Sequence, residues 1–320
     1  EARTFLAEYH LPPNRTVIKN LQSISAWASP MQEPETFLTN LLNHIRDSAY
    51  PEQALNQAER FFCRIKKPEE IFETLVQNKH SLRILCTLFG ASPFLSGILV
   101  QNPGLFSWLV QDRIWNSPLE REPLIQEILS ACREISDLQK AYPVLRRIKR
   151  KEILRIGARD LTGFSDFTET TRSLTTLAEA SLEAAYQVAD RFIKMRYGRP
   201  LMEDPTGTHR ECRFAVLGMG KLGGTELNFS SDIDLLYLYE SDKGETTGVS
   251  DASGGVQGSM GNHLYFVRLS EALTDMLHAN TEDGFVFRVD LRLRPEGSHG
   301  PVASSLRTFE LYYESFGQTW

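Results

Sequence analysis

The sequence is poor in cysteine, carries no basic excess and lacks a long uninterrupted apolar run. Its four cysteines, Cys63, Cys86, Cys132 and Cys212, are scattered, and none forms a Cys-x-x-Cys pair. This argues against a disulfide framework or a zinc ribbon and fits a reducing compartment, so a cytoplasmic location is expected. Lysine and arginine number 35 against 41 acids, a net charge of −6. Proteins that coat nucleic acid are usually strongly basic, so nucleic acid is not an expected partner. The most apolar stretch, 82–100, contains Arg83 and is broken by Gly90, Ser92 and Pro93. It reads as two buried helices, and no membrane association is expected. Residues 1–10 are polar and charged, unlike a secretory signal. The chain opens on Glu1 without a methionine and stops at Trp320, which reads as a piece of a longer protein.

What is present is a globular composition, 41% hydrophobic and 24% charged, with enough length for a real core. Residues 1–200 read as mainly helical, with apolar residues at three-and-four spacing, as in Phe37, Leu38, Leu41, Leu42 and Ile45. Helix starts are expected at Pro34-Glu35, at Ser92-Pro93 and at Ser117-Pro118, the last two with a serine cap. Pro51, Pro68, Pro103 and Pro143 read as breaks, and 174–197 as a long helix rich in alanine and leucine. A basic run, Arg146, Arg147, Lys149, Arg150, Lys151, Arg155 and Arg159, reads as the solvated face of a helix.

The texture changes after Pro205. Strands are expected at 213–218, 232–239 and 284–293, with a helix at 262–279. Between them, 241–261 is rich in glycine and serine and reads as a mobile loop. The fold class is therefore α+β: a mainly helical region over 1–200, then a mixed sheet with helices over 201–320.

Chemistry concentrates in that second region. A strand runs into Gly218-Met219-Gly220-Lys221-Leu222-Gly223-Gly224, and Ser230-Ser231-Asp232-Ile233-Asp234 follows. In a strand, residues two apart project to the same face, so Asp232 and Asp234 present paired carboxylates. Close carboxylates repel each other, and a hard divalent cation such as Mg²⁺, or Mn²⁺, relieves that repulsion. Gly223 and Gly224 offer backbone N–H groups to a phosphate, and Ser230 and Ser231 add hydroxyls. Farther on, Arg288, Asp290, Arg292 and Arg294 are expected on one face of the last strand, and Phe287, Val289, Leu291 and Leu293 on the other. Arg292 and Arg294 suit phosphate, because a guanidinium forks onto two oxygens. Asp290 could hold a second ion or act as base, while Arg288 could instead pair with Asp283 or Glu282. Glycines for phosphate and acids for metal outline a nucleotidyl-transfer site.

The wording of these motifs resembles the glutamine synthetase adenylyltransferase/adenylyl-removing family. The likeness rests on the glycine segment 218–224, on Glu226-Leu227-Asn228-Phe229 through Leu235, and on Asp283-Gly284-Phe285-Val286 through Arg294-Pro295. Upstream it extends to Leu88 through Leu95, and from Arg146-Arg147 to Leu161. The resemblance implies a nucleotidyltransferase fold of the DNA polymerase β type. It implies Asp232, Asp234 and Asp290 as catalytic and metal-binding acids. Members carry two catalytic halves. One adds AMP from ATP to a tyrosine of glutamine synthetase; the other removes it with phosphate, giving ADP. Gly-Met-Gly and Ser-Ser-Asp-Ile-Asp, behind a long helical region, are more similar to the removing half. The addition reaction and a non-catalytic nucleotide-binding domain are the alternatives. The family also implies a PII signalling protein as a partner.

Overall fold

A computed structural model describes residues 2–66, 71–72, 74–75, 80–250 and 255–317. The chain divides into two compact units, Glu1–Pro118 with Arg150–Thr170, and Leu119–Lys149 with Thr171–Trp320. The change of texture near residue 200 is a change of secondary structure, from helices to strands.

The first unit is helical. Its elements are α1 (Ala2–Glu8), α2 (Arg15–Ala28), α3 (Pro34–Arg46), α4 (Pro51–Phe62), α5 (Ser81–Ala91), α6 (Pro93–Gln101), α7 (Leu105–Leu109) and α8 (Asp112–Asn116). Proline opens α3 and α6 as expected, Pro51 opens α4 after a break, and the Ser92 hydroxyl accepts the Leu95 N–H at 3.2 Å. Pro68 lies outside the described residues. Phe61 packs edge-on against Phe62, Phe89 and Phe106. All four rings are fully buried, and each such side chain contributes roughly 1.5–3 kcal/mol.

Two expectations fail where the chain leaves this unit. Ser117-Pro118 does not start a helix: α9 spans Arg121–Ala131, and the Ser117 carbonyl is bound by Arg155 Nη2 at 2.6 Å. Pro143 does not break one either. It sits inside α10 (Leu138–Leu161), where buried Ala141, Leu145 and Ile148 outweigh a penalty of about 3 kcal/mol. Nor is the basic run of α10 a solvated face. Arg146, Arg155 and Arg159 are buried, each with backbone carbonyls as partners. The planar fork permits this, since one guanidinium satisfies several acceptors at once.

The second unit holds α11 (Phe167–Tyr197) from Thr171 onward and the sheet, giving the expected α+β class. Strand β4 (Ile233–Tyr239) is central. It pairs antiparallel with β3 (Phe214–Met219) on one side. On the other, its start pairs in parallel with β7 (Val289–Asp290) and its end with β8 (Ala303–Ser305). Two small hairpins, β1 (Leu201–Glu203) with β2 (His209–Glu211), and β5 (Val249–Ser250) with β6 (Val256–Gln257), flank it. The expected mobile loop 241–261 contains β5, β6 and buried Thr246, whose carbonyl accepts the Ser259 hydroxyl; residues 251–254 lie outside the described residues.

One sheet face is covered. Phe214 and Tyr239, opposite each other in register, both stack on Phe266 of α13 (Asn262–His278). The alternate face carries Leu217, Met219 and Asp234, and there Leu217 and Met219 remain exposed. The strand expected over 284–293 is reduced to two residues. Val286 and Phe287 turn into the core, and the chain folds back after Asp290, with the Arg294 N–H donating to Leu291 O at 3.2 Å. Leu293 is exposed rather than packed. Among the described residues, no helix is long and apolar enough to cross a membrane.

Candidate active site

One end of the sheet brings Asp234 and Asp290 together, with Asp232 just before β4. Asp234 lies in register with Met219 on β3 and with Asp290 on β7, so two carboxylates flank one another across a parallel pair. Neighbouring strands are about 4.8 Å apart, which keeps the two groups within strong electrostatic reach. Asp232 precedes β4 by one residue. Burial first, then the charges of Asp290 and Asp232, push the Asp234 carboxyl above its ordinary value, with Arg292 offsetting part of the shift.

Arginines attend the other two acids. Arg288 Nε donates to Asp232, and its Nη2 donates to the Ser230 carbonyl at 2.8 Å. Arg288 thus pairs with an acid 56 residues away. The Arg292 guanidinium donates to both Asp290 oxygens, and its backbone N–H adds a bond of 2.8 Å. These side-chain bonds, then the backbone one, hold the Asp290 carboxyl below the usual carboxylate range. Arg294 is engaged differently. It donates to the carbonyls of Leu291 at 2.8 Å, Gly300 at 3.2 Å and Ser298 at 3.3 Å, so it braces the loop after β7.

Ser230 and Ser231 enter β4 through a turn built on Asn228. The Asn228 Oδ1 accepts the Ser231 hydroxyl at 2.9 Å, the Ser230 N–H at 3.1 Å and the Ser230 hydroxyl at 3.3 Å. Sequence reasoning assigned Asn228 no role; its signal was an Asx-type residue two before a serine pair at a strand entrance.

The glycine turn lies against the same end of the sheet. Gly223 and Gly224 close a short helix, α12 (Gly220–Gly223), and the Gly224 N–H donates to Gly220 O at 3.0 Å. A Cβ on Gly223 would stand 2.7 Å from the Gly218 carbonyl. Gly220 was also missed. At φ +53°, a Cβ there would stand 2.5 Å from Asp234 Oδ2. A cavity of about 620 Å³, lined by Tyr186, Phe214, Val216, Gly218 and Gly223 among others, reaches this turn, and none of the three aspartates lines it.

The donor set suits a hard cation: Asp234 and Asp290 stand in register, Asp232 precedes β4 by one residue, and burial and then the two acidic neighbours raise Asp234. As they stand, among the described residues, no three His, Cys, Asp or Glu side chains form a ready metal cage. Arg288 and Arg292 occupy two of the acids.

Residues 82–320 match the model of the glutamate-ammonia ligase adenylyltransferase family. The chain belongs to this family. It is 38% identical over 241 residues to a bifunctional glutamine synthetase adenylyltransferase/adenylyl-removing enzyme of Thioalkalivibrio sulfidiphilus, covering 75% of this chain and 24% of the relative. The like-named enzyme of Nitrosococcus oceani is 36% identical over 240 residues, with the same coverages. That of Burkholderia pseudomallei is 42% identical over 176 residues, 55% of this chain and 18% of the relative. The chain thus spans about a quarter or less of the length of these relatives.

Proposed function

We propose that this chain is one catalytic half of an enzyme acting on glutamine synthetase, and that its reaction is phosphorolytic removal of AMP from an adenylylated tyrosine. The observation that carries the reading is the register of Asp234 with Asp290 on an open sheet face, beside a glycine turn. The direction follows from the Gly-Met-Gly and Ser-Ser-Asp-Ile-Asp wording, which is more similar to the removing half of the family. The names of the relatives carry both activities.

Orthophosphate attacks the α-phosphorus in line. A bond forms from a phosphate oxygen to that phosphorus, and the bond to the tyrosyl oxygen breaks. The phosphate proton passes to the leaving phenolate, giving tyrosine and ADP. Asp232, Asp234 and Asp290 would hold Mg²⁺ or Mn²⁺, which would supply charge neutralisation at the phosphoryl oxygens. Arg292, 79% exposed at its side chain, would turn from Asp290 to the incoming phosphate. The Ser230 and Ser231 hydroxyls donate to Asn228 Oδ1 and the Gly224 N–H to Gly220 O, so each would exchange that bond for one to a phosphate oxygen. Arg294 steadies the loop that carries Arg292. A cytoplasmic setting and a PII signalling protein as partner belong to this reading through the family.

The test supplies the chain and Mg²⁺ with AMP-modified glutamine synthetase, with and without phosphate, and follows ADP. Phosphate-dependent ADP release is expected, and Asp234→Asn should lower it by at least about a hundred-fold with an unchanged far-ultraviolet spectrum. AMP transfer from ATP to the unmodified enzyme would reverse the direction. An Asp234→Asn chain with full activity would remove the acid from the mechanism.

A further inference from the structure

Asp290 sits on a strand of only two residues. On the side facing β4, the Ile233 N–H donates to Arg288 O at 2.9 Å and the pairs Ile233–Val289 and Asp234–Asp290 follow. In a parallel ladder, the N–H of Val289 then points away from β4. A strand this short, paired on one side, is weakly held by its ladder alone.

That outward N–H has a partner. It donates to Nδ1 of His278, the last residue of α13, at 3.0 Å. The same helix end holds the preceding residues: Leu277 O accepts the Val286 N–H at 2.9 Å and the Phe287 N–H at 3.1 Å. The helix end is itself fixed from beneath. Fully buried Arg146 donates to Met276 O at 3.2 Å, to Gly284 O at 2.7 Å and to Ala279 O. Three carbonyls, of Met276, Ala279 and Gly284, therefore converge on one guanidinium, and two residues at the end of α13, Leu277 and His278, hold the segment that leads to Asp290.

We propose that His278 is the positioning residue of Asp290: its Nδ1 anchors the Val289 amide and so sets the carboxylate in register with Asp234, on a helix end that Arg146 immobilises. The proposal rests on the reading of Asp290 as a working acid of the site. His278 accepts through Nδ1, so its proton resides on Nε2. Asparagine can present an amide oxygen where Nδ1 stands, whereas alanine presents nothing. The imidazole is exposed, so neither substitution opens the core.

The experiment compares wild type, His278→Ala and His278→Asn as full chains, by amide hydrogen exchange at Val289 and Asp290 and by steady-state kinetics. His278→Ala should speed exchange at both amides by about ten-fold or more. It should lower kcat by about ten-fold, leaving KM for phosphate and for modified glutamine synthetase within about two-fold. His278→Asn should restore both readouts most of the way. Unchanged exchange in His278→Ala overturns the proposal. So does faster exchange with an unaltered kcat, or an asparagine variant as impaired as alanine. A wild-type chain inactive in both directions would remove the functional reading; exchange at Val289 and Asp290 would still decide whether His278 holds the strand.

Discussion

Gly220 shows how closely one residue can bear on the acids. Its backbone is left-handed, and a methyl group there would meet the Asp234 carboxylate. Gly220→Ala therefore combines a backbone penalty of about 1 kcal/mol with displacement of the Asp234 carboxylate, which the proposed reaction uses. Activity should fall by about a hundred-fold or more, while thermal melting shifts by only a few degrees. Losses of equal size in melting and in turnover would assign Gly220 to the fold alone. The spacing of Asp232 and Asp234 predicts a common strand face, but β4 begins at Ile233, so that face carries Asp234 alone, in register with Asp290. The glycines were legible as a motif but not in their reasons. Gly223 is needed because Gly218 O lies against it, and the Gly224 N–H is bonded within its own turn. The partner of Asp232 was not legible, because Arg288 stands 56 residues away and nearer acids competed for it on paper.

At the scale of elements, periodicity located β3, β4, α11 and α13 well but misjudged α10 and β7. Alternation over 284–293 was real, yet only Val289–Asp290 finds a partner strand, and the rest is turned by Arg294 and its carbonyls. A run of cations reads as surface because charge is usually solvated. It took the tertiary carbonyls to show three buried guanidiniums on one helix. The far end of β4 offers a separate test. Glu240 accepts from Arg210 at 2.6 and 3.1 Å and from Arg213 at 2.8 and 3.1 Å. Arg210 foremost, with Arg213 adding to it, holds the Glu240 carboxyl at about 2, below its ordinary 4.5. A depressed carboxyl stabilises the fold fully above 4.5 and loses that stabilisation as the pH falls from there through about 2. Glu240→Gln should lower the melting temperature by about 2–4 °C near neutrality. The gap should close as the pH drops through that window; a gap independent of pH would deny the ionic contribution.

For the whole molecule, composition and motif wording together pointed to the class and the family, and 239 matched residues bear out the family (82 through 320). The division into units could not be read, because α10 gives its first half to one unit and its second half to the other, with no change of composition at residue 150. The scattered thiols, which first served only to argue against cross-links, distinguish these units. Cys86 is buried in the first, Cys132 and Cys212 in the second, and burial pushes all three thiols up; Cys63 alone is exposed, with its thiol raised as well by partial burial and by Glu59. A colorimetric thiol reagent should therefore find one reactive group in the native protein and four after denaturation. Release of one further group before the last two would show the helical unit opening first, and release of two before one would show the sheet unit doing so. The cysteines are thus a built-in ledger of which half of the molecule comes apart.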